Sequence, residues 1–216
     1  MRFTLYVVVV FAALYWFPMR RWMSRWGASP EELSRTMAGD GLLDRHTYSG
    51  TLAITMHARP EDLWPWLVQI GYQRGGLYSY DWLDRIFGFL DRPSANRILP
   101  EFQRLAVGDT IPVGQGPGWP VATLDPNRAL VLDMRNMGGI DWVWQFGIYP
   151  TDETRIRFVT RSRVTARTLL GRVMTYAIEP AGFIMTRRML LGLKERAEAT
   201  RAARDLDTRA NLHPAA

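Results

Sequence analysis

The sequence predicts an α+β fold, and three features carry the prediction. A strand-like alternation at 51–58 runs directly into two short helical patterns. Alternating segments then follow one another from 119 to 164 across short turns, and a long amphipathic stretch from about 167 to 204 closes the chain. Turns this short join antiparallel neighbours, because a parallel crossover needs about a dozen residues or more. With 216 residues, 47% of them hydrophobic, there is enough chain for one such domain and some extra.

The extra chain comes first. "FTLYVVVVFAALYWFPM", residues 3–19, carries no charge and is bounded by Arg2 and by Arg20, Arg21 and Arg25. As a helix it would reach about 25 Å, a little short of the roughly 30 Å hydrocarbon core of a bilayer. Tyr15, Trp16, Trp22 and Trp26 stand where an aromatic belt would lie. Residues 1–26 are therefore expected to be a single-pass membrane anchor, placing the chain at the cell membrane through residues 3–19. A cleaved signal peptide is the rival reading. Against it, only Arg2 precedes the apolar run, and cleavage at Ala28 would put bulky Trp26 at the third position before the cut. The heavier positive charge after the segment favours a cytoplasmic C-terminal domain. Residues 27–50 read as a linker that lifts the domain off the bilayer, with a short helix capped by Ser29, Pro30 and Glu32 and ended by "GDG" at 39–41.

The domain proper is expected over 51–204. Leu52, Ile54 and Met56 alternate with Ala53, Thr55 and His57, as in a half-buried strand. "RPEDLWPWLVQIG" then starts a helix at Pro60, with Leu63, Trp64, Leu67 and Ile70 on its apolar face. In "RGGLYSYDWLDR" (74–85), "RGG" is a turn and Ser79 a helix cap; Asp81 falls in the first turn, and the spacing Leu83, Ile86, Phe87 and Leu90 is helical. Farther on, "ILPEFQ" suggests one helical turn, and 109–113 a strand. The "GQGPG" at 114–118 is a hairpin loop, since a phosphate-binding loop needs a helix after it. Strands are expected at 119–125, 128–135, 140–150 and 154–164. Period two puts Trp142, Trp144, Phe146 and Ile148 on one face, and Ile156, Phe158, Thr160 and Ser162 on one face of the next strand. Arg155, Arg157, Arg161 and Arg163 occupy the opposite face, which either stays in water or meets anionic headgroups. The last helix is expected to break near "EPAG" (179–182), and residues 205–216 to be unstructured.

Composition narrows the function. Without cysteine there is no disulfide, thiolate metal site or cysteine nucleophile. His46, His57 and His213 stand apart, so metal chemistry and a Ser/His/Asp arrangement have little material, and neither metal nor cofactor is expected. The formal charge is +6, with Lys194 the only lysine. No helix-turn-helix, zinc-finger or RNP-like motif accompanies that charge, so nucleic acid is not expected as a partner.

In its order of elements, and in "HARPEDLWPWLVQIG", "RGGLYSYDWLDR" and "EPAGFIMTRRMLLGLKERAEA", the chain resembles the helix-grip superfamily. That superfamily takes in START lipid-binding domains, the birch-pollen-allergen family and polyketide cyclase/dehydrase-like proteins; the nearest likeness is to its bacterial membrane-anchored members. The resemblance implies a curved antiparallel sheet gripping the long C-terminal helix around an apolar cavity. A hydrophobic small molecule or lipid would there meet Trp142, Trp144, Phe146, Phe158 and Thr160 of the sheet and Phe183 and Met189 of the helix. Tyr78 and Tyr80 would lie near its mouth, with Ile156 and Ser162 also on the lining face. The same aromatics could instead fill a closed core. A cyclase- or dehydrase-like enzyme is the alternative, drawing its acid and base from Asp81, Asp133, Asp141 and Glu179, with Arg74 or a tyrosine to polarise a carbonyl.

Overall fold

The computed structural model describes residues 18–137 and 139–212. The expected anchor at 3–19 thus lies outside the described residues apart from Pro18 and Met19. Among the described residues no helix is long and apolar enough to cross a membrane.

The fold is α+β. Helices α1 (Arg20–Met23) and α2 (Pro30–Ser34) precede strand β1 (Tyr48–Met56), which leads into α3 (Pro60–Val68) and α4 (Asp81–Ile86). Strands β2 (Thr110–Ile111), β3 (Trp119–Asp125), β4 (Ala129–Met137), β5 (Ile140–Pro150) and β6 (Ile156–Ala166) follow, and α5 (Leu169–Leu212) ends the described chain. The six strands form one antiparallel sheet in the order β1-β6-β5-β4-β3-β2. Register shifts at Val121/Thr123 and Met134/Met137 insert bulges, which bend strands locally. The β1 edge is covered: Thr51 and Ala53 donate their amides to the carbonyls of Ser24 and Trp26.

Alternation decides the inner face. Phe146, Ile148, Ile156 and Phe158 are buried with Leu130 and Leu132, and α3 and α5 lie over them through Leu63, Leu67, Met189, Leu190, Leu193 and Ala197. The two helices are joined where Trp66 Nε1 donates to Thr200 Oγ1 at 2.9 Å.

The outer face departs from expectation. Residues 29–42 form a strap laid across β6 and β5. Ser29 caps α2 as its sequence predicts, accepting from the Glu32 amide while Glu32 accepts from Ser29. Glu32 then pairs with Arg157 at 2.7 Å, and Asp40 with Arg161 and Arg163 at 3.0 Å each. Gln145 donates to the Ala38 carbonyl and to Asp40. Three of the four arginines expected to face water or headgroups are therefore spent within the fold, and Arg155, paired with Asp152, is the one left at the surface.

The helical ends also differ. Ser79 is not a cap: α4 begins after Tyr80, which makes no capping bond. Of the residues whose spacing predicted this helix, Leu83 is half-buried, Ile86 and Phe87 are exposed, and Leu90, beyond its end, is buried, while Asp84 is buried within it. Helix α5 runs unbroken through Pro180 and on to Leu212. Proline removes one backbone bond, but Arg20 holds Glu179 just before it and Trp22 packs edge-on against Phe183 just after it. Beyond 204 the Arg201–Asp205 pair, one turn apart, supports residues expected to be unstructured.

Candidate functional site

The sequence-predicted ligand residues fall into an interior group and a half-buried pair. On the inner face a ladder of rings runs from Phe158, stacked on Phe146 at 6.1 Å, to Trp144 at 4.8 Å, Trp119 at 5.8 Å, and Trp142 at 4.8 Å from Trp119. The deep end is sealed. Trp144 donates its indole N–H to Thr160 Oγ1 at 2.9 Å, and Thr160 donates in turn to the Gln145 carbonyl. Met189 closes over the ladder from α5 and is buried like Phe146, Phe158 and Thr160.

Trp142 and Phe183 are each half-buried and packed against the core, Trp142 beside Trp119 and Phe183 beside Trp22. The Trp142 indole N–H is inaccessible to solvent and has no acceptor among the described residues. Met134 and Val164 lie opposite Trp142 on the two paired strands, and the Trp119 ring packs edge-on against it.

The two tyrosines part company. Tyr78 is not at a mouth: its backbone adopts a left-handed conformation (φ 57°), and its side chain, 1% exposed, turns inward. There it meets Trp66 edge-on at 6.0 Å, lies under the Arg196 guanidinium, and accepts from Gln69 Nε2. Burial pushes its hydroxyl up to about 12, so it stays protonated. The bare backbone of Gly192 on α5 comes against Tyr78 and fixes its position. Tyr80, by contrast, is exposed beside Trp82.

The acid/base candidates are dispersed and occupied. Asp81 accepts from the amide and hydroxyl of Ser94, tying α4 to the following loop. Asp133 takes a two-pronged bond from Arg135, and Asp141 one from Arg167. Glu179 is raised above the ordinary carboxylate range by burial, against the pull of Arg20. Arg74 caps the end of α3, donating to the Val68 and Ile70 carbonyls.

One group escaped sequence reading. Asp84 is fully buried; Ser79 donates to it at 3.0 Å, and its second oxygen has no partner among the described residues. Burial pushes its carboxyl up to about 6. Nothing in the local pattern marks it, because an aspartate in the first turn of a helix ordinarily faces water.

Two hollows open at the surface. One, of about 720 Å³, is lined by Pro18, Arg21, Trp22, Arg25, Trp26 and Gly27; the other, of about 410 Å³, lies between the strap and β5 around Arg35, Tyr149 and Arg157. Neither is lined by a residue that the sequence places in a ligand site. No group of three or more metal-binding side chains converges among the described residues.

No known family model matches the chain. No curated protein is significantly similar to it. Similar solved structures include a protein from Mesorhizobium loti (14% identity, covering 71% of this chain and 98% of that one, TM-score 0.40). A Thermobifida fusca protein (13%, 70% and 94%, TM-score 0.44) and a hypothetical protein from Helicobacter pylori (8%, 76% and 96%, TM-score 0.48) are others. Likeness of this degree assigns no function to the chain.

Proposed function

We propose that the chain is a membrane-tethered binding module of the helix-grip kind, which takes a hydrophobic small molecule or lipid between the sheet and α5 and performs no chemistry on it. Trp142 is the observation that carries this reading. A buried donor left unpaired costs about 1–3 kcal/mol, and this one belongs to a half-buried ring packed on the core beside Trp119. The carbonyl or hydroxyl oxygen of an apolar ligand lying along Trp142 and Phe183 would satisfy it. With the deep end closed by the Trp144–Thr160 bond, the ligand lies along these two rings. A single-pass anchor at residues 3–19, with the domain on the cytoplasmic side, would keep them close to a source of such ligands.

The test is native mass spectrometry and solvent extraction of the full chain purified from membranes in mild detergent. A retained apolar compound is expected, and Trp142→Phe, which deletes the N–H and keeps an aromatic ring, should lower its occupancy several-fold. A consistently empty chain, or unchanged occupancy in Trp142→Phe, would refute the proposal. The cyclase- or dehydrase-like alternative has one group in its favour, Asp84, whose raised carboxyl suits a general acid near neutrality. Full turnover of a polyketide-type substrate by Asp84→Asn would remove that support.

A further inference from the structure

The larger surface hollow, of about 720 Å³, presents hydrogen-bond donors and no side-chain acceptor. Its polar lining is Arg21, Trp22, Arg25 and Trp26, completed by Pro18 and Gly27. A guanidinium carries five N–H groups and an indole one, and neither accepts a bond. These donors are unengaged: among the described residues neither arginine is paired with a carboxylate, and neither indole N–H has an acceptor.

The walls are braced from α5. Contacts climb that helix about one turn at a time: Arg20 bonds Glu179 at 2.7 Å, Trp22 meets Phe183 at 5.2 Å, and the Arg187 guanidinium lies 4.9 Å from the centre of the Trp26 ring. Arg187 thus adds a third cation beside the lining. No carboxylate among the described residues answers these charges. Glu179 is held by Arg20, and residues 1–30 contain no aspartate or glutamate. The chain before Pro18 therefore brings no carboxylate to Arg21 or Arg25, whatever course it takes.

A donor-only, cationic lining selects an acceptor-rich anion. Guanidinium forks match phosphate oxygens two at a time, and one phosphate has oxygens enough for both arginines. The volume falls within the roughly 300–1,000 Å³ of small-molecule sites, which leaves room for more than an inorganic ion. The indole rings suit an apolar remainder.

We propose that the hollow formed by Arg21, Trp22, Arg25 and Trp26 binds an organic phosphate, its phosphate on the two guanidiniums and its apolar body against the indoles. The site is at the surface, separate from the interior of the sheet. Phospholipid headgroups and soluble phosphate esters share this chemistry, and the choice of probes tells them apart.

The test is isothermal titration calorimetry of the full chain in a neutral maltoside detergent. The probes are dihexanoyl phosphatidic acid, dihexanoylglycerol, which lacks the phosphate, and glycerol 3-phosphate, which lacks the acyl chains. Phosphatidic acid should bind at one site per chain, and dihexanoylglycerol should not bind. Arg21→Gln and Arg25→Gln should each weaken binding about tenfold or more. Both arginines are exposed and unpaired, so their replacement leaves the fold intact. Arg104→Gln, at an exposed arginine outside the hollow, and Trp142→Phe should leave the affinity within about twofold. Glycerol 3-phosphate binding as tightly as phosphatidic acid supports the site and assigns a soluble ester; weaker binding supports it and assigns a headgroup. Failure of both phosphates to bind, equal binding of dihexanoylglycerol, or an affinity unmoved by Arg21→Gln and Arg25→Gln overturns the proposal. An equal loss in Arg104→Gln overturns it in favour of attraction by net charge, and an equal loss in Trp142→Phe does so in favour of a ligand inside the sheet.

Discussion

Arg161→Met deletes the guanidinium that fastens the strap and keeps the apolar stem. Arg161 is 3% exposed. Its Nε donates to Thr51 Oγ1 at 3.0 Å, Nη1 to the Arg35 carbonyl and Asp40, and Nη2 to the Glu32 carbonyl at 2.8 Å. Breaking a buried pair costs about 3–5 kcal/mol when the partner is left alone. Asp40 would not be alone, since Arg163, Gln145 and the Met37 amide remain. The strap carbonyls of Glu32 and Arg35, and more weakly Leu33, would lose their donor, at about 1–3 kcal/mol for each of the first two before water enters. The expected loss is thus about 3–4 kcal/mol, or roughly 6–16 °C in Tm for a domain of this size. Arg155→Met, just before the same strand, removes an exposed pair with Asp152 and should cost about 0.5 kcal/mol or less. Urea and thermal unfolding of the full chain in detergent, followed by tryptophan fluorescence, would measure both. A loss below about 1 kcal/mol for Arg161→Met, within the range of a surface pair, would refute the assignment of the strap to this side chain.

Three further outcomes follow from the geometry. Burial pushes on the Asp40 and Glu32 carboxyls from above, but Met37 and Gln145 on the one, and Arg157 and Ser29 on the other, outweigh it and hold both low. The strap's stability is then complete above the unfolded carboxylate value and is lost as pH falls through the depressed folded ones, so acid should expose residues 29–42 to protease before the sheet melts. Asp84 works in the opposite sense. Raised to about 6, it binds its proton more tightly when folded, so stability falls as pH rises from about 4 to about 6 and is level above; Asp84→Asn should flatten that slope and add about 1–3 kcal/mol at pH 7. A pH–stability profile unchanged by the substitution would contradict the burial. Gly192→Ala places a methyl against the Tyr78 backbone carbonyl, and an overpacked contact of this kind should cost about 1–3 kcal/mol in a urea melt.

Much of the sheet was legible because alternation is a local property. Period two in 140–150 and 154–164 identified which residues face α5, and the Ser29 capping box, the Pro60 start of α3 and the hairpin between β2 and β3 lay in short windows of sequence. The candidate site was legible in part. The aromatic ladder could be read from those faces, whereas the unpaired Trp142 donor, the sealed Trp144–Thr160 end and the burial of Asp84 could not.

Tertiary structure decided the rest through pairings that no local pattern encodes. A row of arginines reads as a solvated face until Glu32 and Asp40, more than a hundred residues away, arrive to neutralise it. Tyr78 reads as a residue at a cavity mouth until the bare backbone of Gly192 admits it, in a left-handed turn, to the interior. Pro180 reads as a helix break until α1 braces both sides of it. The sequence by itself determined which faces are apolar, because side-chain chemistry and backbone period suffice for that. Which of those faces found a partner, and which, like the side of α5 that carries Leu170, Val173 and Ile178, stayed exposed among the described residues, was decided only when distant segments competed for the same surfaces in three dimensions.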